Sequence, residues 1–287
     1  MASKRQKHWT GDVATLLRVG PGFRLDRVDA EETPGYRRRK KDSIDNLVAG
    51  ADELSDLQER LYAASRAQAT DAAVLLVLQA MDTAGKGGII RHVVGSVDPQ
   101  GVDLAAFKKP TDKELAHDFL WRIRARVPDP GVIGVFDRSH YEDVLIGRVR
   151  ELAPPDEIER RYGAINAFES ELVGRGIRLV KVMLHISAQE QRDRLVERLD
   201  RPDKHWKFNP GDIDERMRWS AYMDAYQTVF ERTSTDAAPW YVVPANRKWY
   251  ARLAVQALLL GALADIDPQW PAATFDVPAE RARLLAT

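Results

Sequence analysis

The chain has 287 residues, 44% of them hydrophobic, which is enough to bury a substantial core in one α/β domain. Its 43 basic and 43 acidic residues leave a formal net charge of zero, so a polyanion must be drawn in by local clustering rather than by the field of the whole molecule. Cysteine is absent, which excludes disulfide and thiolate chemistry and fits a reducing, cytoplasmic setting.

The start, Met1 to Trp9, is basic and lacks the apolar stretch of a signal peptide. No apolar run approaches the roughly 20 residues that span a bilayer, so no membrane association is expected. Residues 1–41 read as irregular, with turn signals at Pro21-Gly22 and Thr33-Pro34-Gly35. The run Arg37-Arg38-Arg39-Lys40-Lys41 reads either as a solvated arm or as a polyanion contact. From residue 42 to 287 a single domain is expected. A helix is predicted from Asp42 to Arg66, where Leu47, Leu54, Leu57 and Leu61 recur at helical spacing.

Strands and helices then alternate. Predicted strands are Ala73 to Leu78, Gly131 to Phe136, Leu179 to Ile186 and Trp240 to Pro244. Between them, helices are predicted at Asp118 to Arg126, Ile158 to Val173, Gln189 to Leu199 and Asp212 to Phe230, with a last one from Trp249 to Leu263. Apolar strands separated by helices predict a parallel sheet covered on both faces, with ligands at the carboxyl ends of the strands.

Directly after the first strand comes Asp82-Thr83-Ala84-Gly85-Lys86-Gly87-Gly88, followed by a helix with Ile89, Ile90, Val93, Val94 and Val97 on one face. A tight glycine turn opening a helix, with a lysine in the turn, is a phosphate-binding arrangement: backbone N–H groups surround the anion and the lysine neutralises it. Two departures are informative. Ala80 stands where the first glycine of such a loop is expected, and Gly87 replaces the hydroxyl residue that usually holds Mg²⁺. A metal here needs carboxylates, and Asp82 sits inside the loop. A second carboxylate, Asp137, ends the next strand in Asp137-Arg138-Ser139-His140-Tyr141-Glu142-Asp143, where a strand-end acid can hold Mg²⁺. Arg138 is placed to neutralise a transferred group, with Glu142 and Asp143 one turn on near the same pocket. The plainer reading makes Asp137 a helix cap and the other two acids ordinary first-turn residues.

Arg194, Arg198 and Arg201 lie on one helix face and lead into Lys204-His205-Trp206-Lys207, a lid expected at about residues 190–212. The alternative is a solvated helix whose charges pair with Asp193, Glu197, Asp200 and Asp203. The segment Phe107 to Arg122 mixes basic and aromatic residues and is a candidate lining for an anion or base pocket; His117 within it reads as structural. No His-rich metal spacing, Gly-x-Ser-x-Gly elbow or dinucleotide fingerprint occurs.

These motifs together resemble the second family of polyphosphate kinases, and within it the class III group that accepts AMP as well as ADP. The matching segments are Met81 to Gly88, Pro110 to Arg122, Arg138 to Asp143, Arg194 to Asp212 and Pro239 to Tyr250. The resemblance implies a three-layer αβα P-loop kinase fold, thymidylate-kinase-like, with a parallel central sheet and a helical lid. It implies reversible, Mg²⁺-dependent (or Mn²⁺-dependent) transfer of the terminal phosphoryl group of inorganic polyphosphate to AMP, ADP or both, giving ATP from ADP, in a homodimer or homotetramer. By position it assigns catalysis to Asp82, Lys86, Asp137, Arg138, Glu142, Asp143 and Arg198. Nucleotide and phosphate binding falls to Thr83, Ala84, Gly85, Gly87, Gly88, Arg194, Lys204 and Lys207, and metal binding to Asp82 and Asp137. Glu142-Asp143 matches the acidic pair of the AMP-accepting class, whereas Asp137 stands where that class usually carries Asn. Two rivals remain: an ATP-dependent nucleoside-monophosphate kinase, against which Gly87 argues, and a non-catalytic nucleotide- or polyphosphate-binding regulator. Nucleic-acid binding rests on Arg37 to Lys41 alone and is not expected.

Overall fold

The computed structural model describes residues 8–287; the basic start, residues 1–7, lies outside them. The strands are β1 (Ala73–Ala80), β2 (Val102–Ala106), β3 (Ile133–Asp137), β4 (Ile177–His185) and β5 (Trp240–Pro244). They form one parallel sheet in the order β2-β3-β1-β4-β5. The helices are α1 (Val13–Leu17), α2 (Ser43–Arg66), α3 (Lys86–His92), α4 (Asp112–Leu115), α5 (Trp121–Arg124), α6 (Ile146–Val149), α7 (Pro155–Gly174), α8 (Ala188–Asp200), α9 (Gly211–Met217), α10 (Trp219–Thr233), α11 (Lys248–Ile266) and α12 (Val277–Leu285).

β1 is buried along all but its last residue because both faces of the sheet are covered. Val74, Leu76 and Leu78 point into one apolar cluster with Leu54 and Leu61 of α2 and Val255 and Leu259 of α11. Leu75 and Val77 point into the other, with Ile165 and Leu172 of α7 and Val229 and Phe230 of α10. The result is a three-layer αβα fold. By length and composition α11 alone among the described helices could cross a membrane, but its apolar side chains are buried in the first cluster.

Several sequence expectations change at their edges. β2 was not foreseen: it is a short edge strand with only one buried residue, so it carries no continuous apolar run. The helix expected over Asp118 to Arg126 is reduced to the four residues of α5, because Asp118 caps the turn at Leu120 (3.0 Å) and Arg122 reaches back to the Lys108 carbonyl (2.8 Å). Arg218 interrupts the helix expected from Asp212 to Phe230, separating α9 from α10. The helix after the loop ends at His92, and a 3₁₀ turn, Val94–Ser96, follows. α12 was not foreseen and buries none of its residues. The segment before α2, expected to be irregular, instead carries the short helix α1 and a 3₁₀ turn at Leu25–Arg27, and it packs on the sheet: Val13, Leu17, Val19 and Leu25 are buried, and Val19 N–H donates to the Trp240 carbonyl at 2.8 Å.

Candidate active site

The chain leaves β1 at the carboxyl edge of the sheet and turns into α3 through Met81 to Gly85. Gly85 adopts φ 119°, open to glycine alone at little cost, and Thr83 holds φ 68°, which is strained for a β-branched residue. Residues Asp82 to Gly88 all line one cavity of about 500 Å³. The Thr83 hydroxyl is buried without a protein partner, which leaves it free to serve a ligand.

β3 delivers the second set beside the first, since β1 and β3 are paired with Leu78 opposite Asp137. Asp137 lies 3.9 Å from Lys86, and the Arg138 guanidinium donates to Asp82 at 3.0 Å. Arg138 is also held at φ 63°, so two of the strained non-glycine residues belong to this site. Burial opposes the Arg138 charge, but Glu142, Asp82 and Asp137 together outweigh it and hold the group above its ordinary value. Glu142 is pushed up by burial, with Arg138 and Lys86 opposing. Asp82, Arg138 and Glu142 line a second, smaller cavity of about 200 Å³ with Asp212, Tyr222 and Tyr226. Asp82 is therefore the wall common to both cavities.

The turn that carries Arg138 and Glu142 is braced from behind. The Ser139 hydroxyl accepts from Gln79 (3.0 Å) and from the Tyr141 N–H (3.2 Å). Deeper, Lys181 is wholly buried and donates to Glu169 (2.6 Å), the Tyr141 hydroxyl (3.0 Å) and the Thr233 carbonyl (2.8 Å). Tyr141 in turn donates to Glu169 at 2.7 Å, and His140 lies 3.3 Å away. Burial disfavours the Glu169 charge, but Lys181 and His140 outweigh it and keep the carboxyl below its ordinary value.

The lid arginines divide their roles. All five N–H groups of Arg194 have protein acceptors: Glu190 (2.7 Å), the carbonyls of Thr83 (2.9 Å) and Ala84 (3.0 Å) in the loop, and those of Ala245 (2.8 Å) and Asn246 (2.9 Å) after β5. A guanidinium has five donors and no more, so Arg194 has none left for a phosphate. Its neighbour Gln191 donates to the Asp82 carbonyl at 3.2 Å and accepts from Arg216 at 3.1 Å. Arg198, Lys204 and Lys207 do line the large cavity. Arg198 is tethered to Asp212 at 3.4 Å. Arg201 of the expected lid face lines the cavity as well, and Arg91, His92, Lys248 and Arg252 line it too, none of these four among the expected site residues. Lys248 and Arg252 were legible as two cations at i, i+4 at the start of the last core helix. The crowding is felt: burial and then Arg252 and Arg91 push His92 down, and burial and then Arg194 push Lys248 down.

Two further expectations need correction. Asp143 does not join Glu142 at the cavity; its side chain turns to Arg161 (3.4 Å) and Arg122 (3.8 Å), tying α7 and α5 to the turn. The Phe107 to Arg122 segment lines neither cavity: His117 stacks on Trp121 with ring centroids 4.3 Å apart, and Phe107 packs edge-on against Phe136. Among the described residues no group of three or more metal-ligating side chains forms.

The cavity at the phosphate loop is thus walled by cations, with Asp82 and Asp137 in place of the usual loop hydroxyl. The family model of polyphosphate kinase 2 matches residues 39–271. The chain belongs to the polyphosphate kinase 2 family. An AMP/ADP-polyphosphate phosphotransferase of Meiothermus ruber is 44% identical over 249 residues, which cover 87% of this chain and 91% of that protein. An ADP-polyphosphate phosphotransferase of Rhodopseudomonas palustris is 42% identical over 283 residues, 94% of this chain and 95% of that one. Among solved structures, polyphosphate kinase 2 from Arthrobacter aurescens TC1 superposes with a TM-score of 0.95 at 57% identity, over 97% of this chain and 98% of its own. The fold is thus that of the family, a P-loop kinase fold, and the chain is a phosphotransferase.

Proposed function

We infer that this enzyme transfers the terminal phosphoryl group of inorganic polyphosphate to AMP, ADP or both. The observation that carries the reading is the large cavity. Beyond Lys86 it gathers Arg91, Arg198, Arg201, Lys204, Lys207, Lys248 and Arg252 around only three carboxylates, Asp82, Asp137 and Glu197, so cations dominate its walls along their whole extent. A long phosphate chain supplies the matching charge.

The donor end enters at the loop, where the amides of Gly85 to Gly88 and the Lys86 ammonium hold it, with Thr83 and Ala84 shaping the turn. The acceptor phosphate enters from the smaller cavity, past Glu142 and Arg138, and meets the donor at Asp82. Its attacking oxygen is already anionic near neutral pH, so no general base is required. Phosphoryl transfer asks for alignment and charge neutralisation more than covalent help. Arg138, oriented by Asp82 and Glu142, faces the group in transit, and Arg198 with Lys204 and Lys207 closes over it from the lid at about residues 190–212. Arg194 is assigned here to position the loop, and Asp143 to brace the turn.

Asp82 and Asp137 fit a divalent cation. Of the three carboxylates that line the cavity, Glu197 is paired with Arg201 and Lys248, which leaves these two at the loop, and Mg²⁺ is commonly held by one or two carboxylates plus substrate phosphates. Mg²⁺, or Mn²⁺ in its place, supplies charge neutralisation on the phosphate oxygens there.

The test is incubation of the pure protein with Mg²⁺, long-chain polyphosphate and AMP, without ATP, followed by chromatography of nucleotides. ADP and then ATP are expected. ATP from ADP but nothing from AMP would restrict the acceptor; no product from either, alongside nucleotide binding, would overturn the reading.

A further inference from the structure

The run Arg37-Arg38-Arg39-Lys40-Lys41 is exposed along its whole length, and among the described residues none of its side chains pairs with a carboxylate. Several other surface arginines are matched: Arg150 with Glu215, Arg160 and Arg161 with Glu157, Arg201 with Glu197. Asp42, the nearest acid in sequence, accepts from the backbone N–H of Arg39 at 3.1 Å. Five adjacent like charges repel one another and oppose folding unless an anion gathers there.

The run is also held in place. Arg37 N–H donates to the His8 carbonyl at 3.0 Å, and the Ser43 hydroxyl donates to the Lys40 carbonyl at 2.6 Å. Just before the run, buried Tyr36 accepts from Asn46 at 2.6 Å and packs its ring against Trp249, centroids 5.4 Å apart. Trp249 sits between Lys248 and Arg252 on α11, and both of those line the large cavity. One turn past Arg252, Gln256 donates to the Leu47 carbonyl of α2 at 2.9 Å. α2 and α11 thus pack side by side, and both begin at the carboxyl end of the sheet, α2 before descending to β1. Arg252 also approaches the loop, 3.7 Å from where a Gly88 side chain would begin. Cationic side chains therefore lead from Lys86 past Arg91 and Arg252 toward the side of the cavity on which α2 begins.

We propose that Arg37 to Lys41 forms a secondary site for the distal part of a long inorganic polyphosphate whose reacting end is held at the loop. This rests on the polyphosphate reading of the cavity. The run makes no contact with the reacting group. It holds the chain near the loop between turnovers, raising the local concentration of donor ends for long chains alone.

The experiment replaces all five residues with glutamine and compares ADP phosphorylation from long-chain polyphosphate with that from tripolyphosphate, which has no distal part to reach the run. The melting temperature does not fall, because every substituted side chain is exposed and the mutual repulsion of the run is relieved. The KM for long chains rises about tenfold, and its dependence on salt becomes shallower as ionic contacts are lost. kcat and the tripolyphosphate KM stay as in the wild type. A variant with lysine at Arg37, Arg38 and Arg39 keeps the charge and retains the long-chain KM. An unchanged long-chain KM, an equal rise for both donors, or a loss confined to binding of single-stranded RNA overturns the site while leaving the activity standing. Wild-type protein that uses polyphosphate of neither length removes the substrate reading and the secondary site together.

Discussion

Arg194 separates two roles that a lid arginine can play, and replacing it tells them apart. Its guanidinium is 5% exposed and bridges the Thr83 and Ala84 carbonyls of the loop to those of Ala245 and Asn246 after β5. A hydrogen bond from a charged donor contributes about 1.5–3 kcal/mol. The four bonds share one group and the carbonyls rehydrate in part, so the sum is not additive. Removal of one partner from a buried charged network costs about 3–5 kcal/mol. For Arg194→Ala we therefore expect a loss near 4 kcal/mol, or a fall in Tm of about 8 °C for a chain of this size. Arg194→Lys keeps the charge, but a point-like ammonium with three donors cannot serve both loops, so about half the loss remains. Because the loop carries Lys86, a shift of about 1 Å lowers kcat on the order of a hundredfold. Urea unfolding and steady-state kinetics with polyphosphate and ADP read both effects. If Arg194→Ala keeps the urea midpoint and kcat and only raises the polyphosphate KM, the residue is a phosphate ligand and the clamp is wrong.

Lys86→Ala and Asp137→Asn each lower kcat at least a hundredfold, about 3 kcal/mol of barrier, with the melting curve intact; near-normal turnover in either removes the site assignment. Lys181→Met leaves buried Glu169 without its ammonium partner and destabilises by about 3–5 kcal/mol, whereas adding Glu169→Gln costs less than the sum of the two singles. Strict additivity in urea melts would refute their coupling. Glu157, through the Arg160 hydrogen bond first and then Arg161, is lowered from 4.5 to about 2. A folded value below the unfolded one gives stability that is present above pH 4.5 and lost as pH falls toward 2. The side chain is 31% exposed, so the contribution stays under about 1 kcal/mol. Glu157→Gln should flatten the acid limb of Tm against pH by that amount; curves parallel to the wild type contradict the pairing.

The primary structure by itself determined the sheet and the loop. Unbroken apolar runs such as Ala73 to Leu78 have one stable placement, a strand covered on both faces, and the Gly85-Lys86-Gly87-Gly88 turn after β1 has one use there, an anion. Helix spacing gave α2, α7, α8 and α11 within a few residues of their observed ends. β2 escaped because an edge strand buries one face at most and leaves no periodic trace. What side chains do at the site was decided only by tertiary structure. Glu142 and Asp143 are adjacent in sequence, yet the 3₁₀ turn His140–Asp143 sends one toward Arg138 and the other toward Arg122 and Arg161. Arg194 and Arg198 share a helix face, yet the closer one is used up by carbonyls from two loops more than 50 residues away in the chain. Lys248 and Arg252 reach the cavity only because α11 packs beside α3. Sequence spacing specifies which face of an element a residue occupies; which partner it meets depends on the neighbouring elements, and those are set by how the two apolar faces of the sheet are filled.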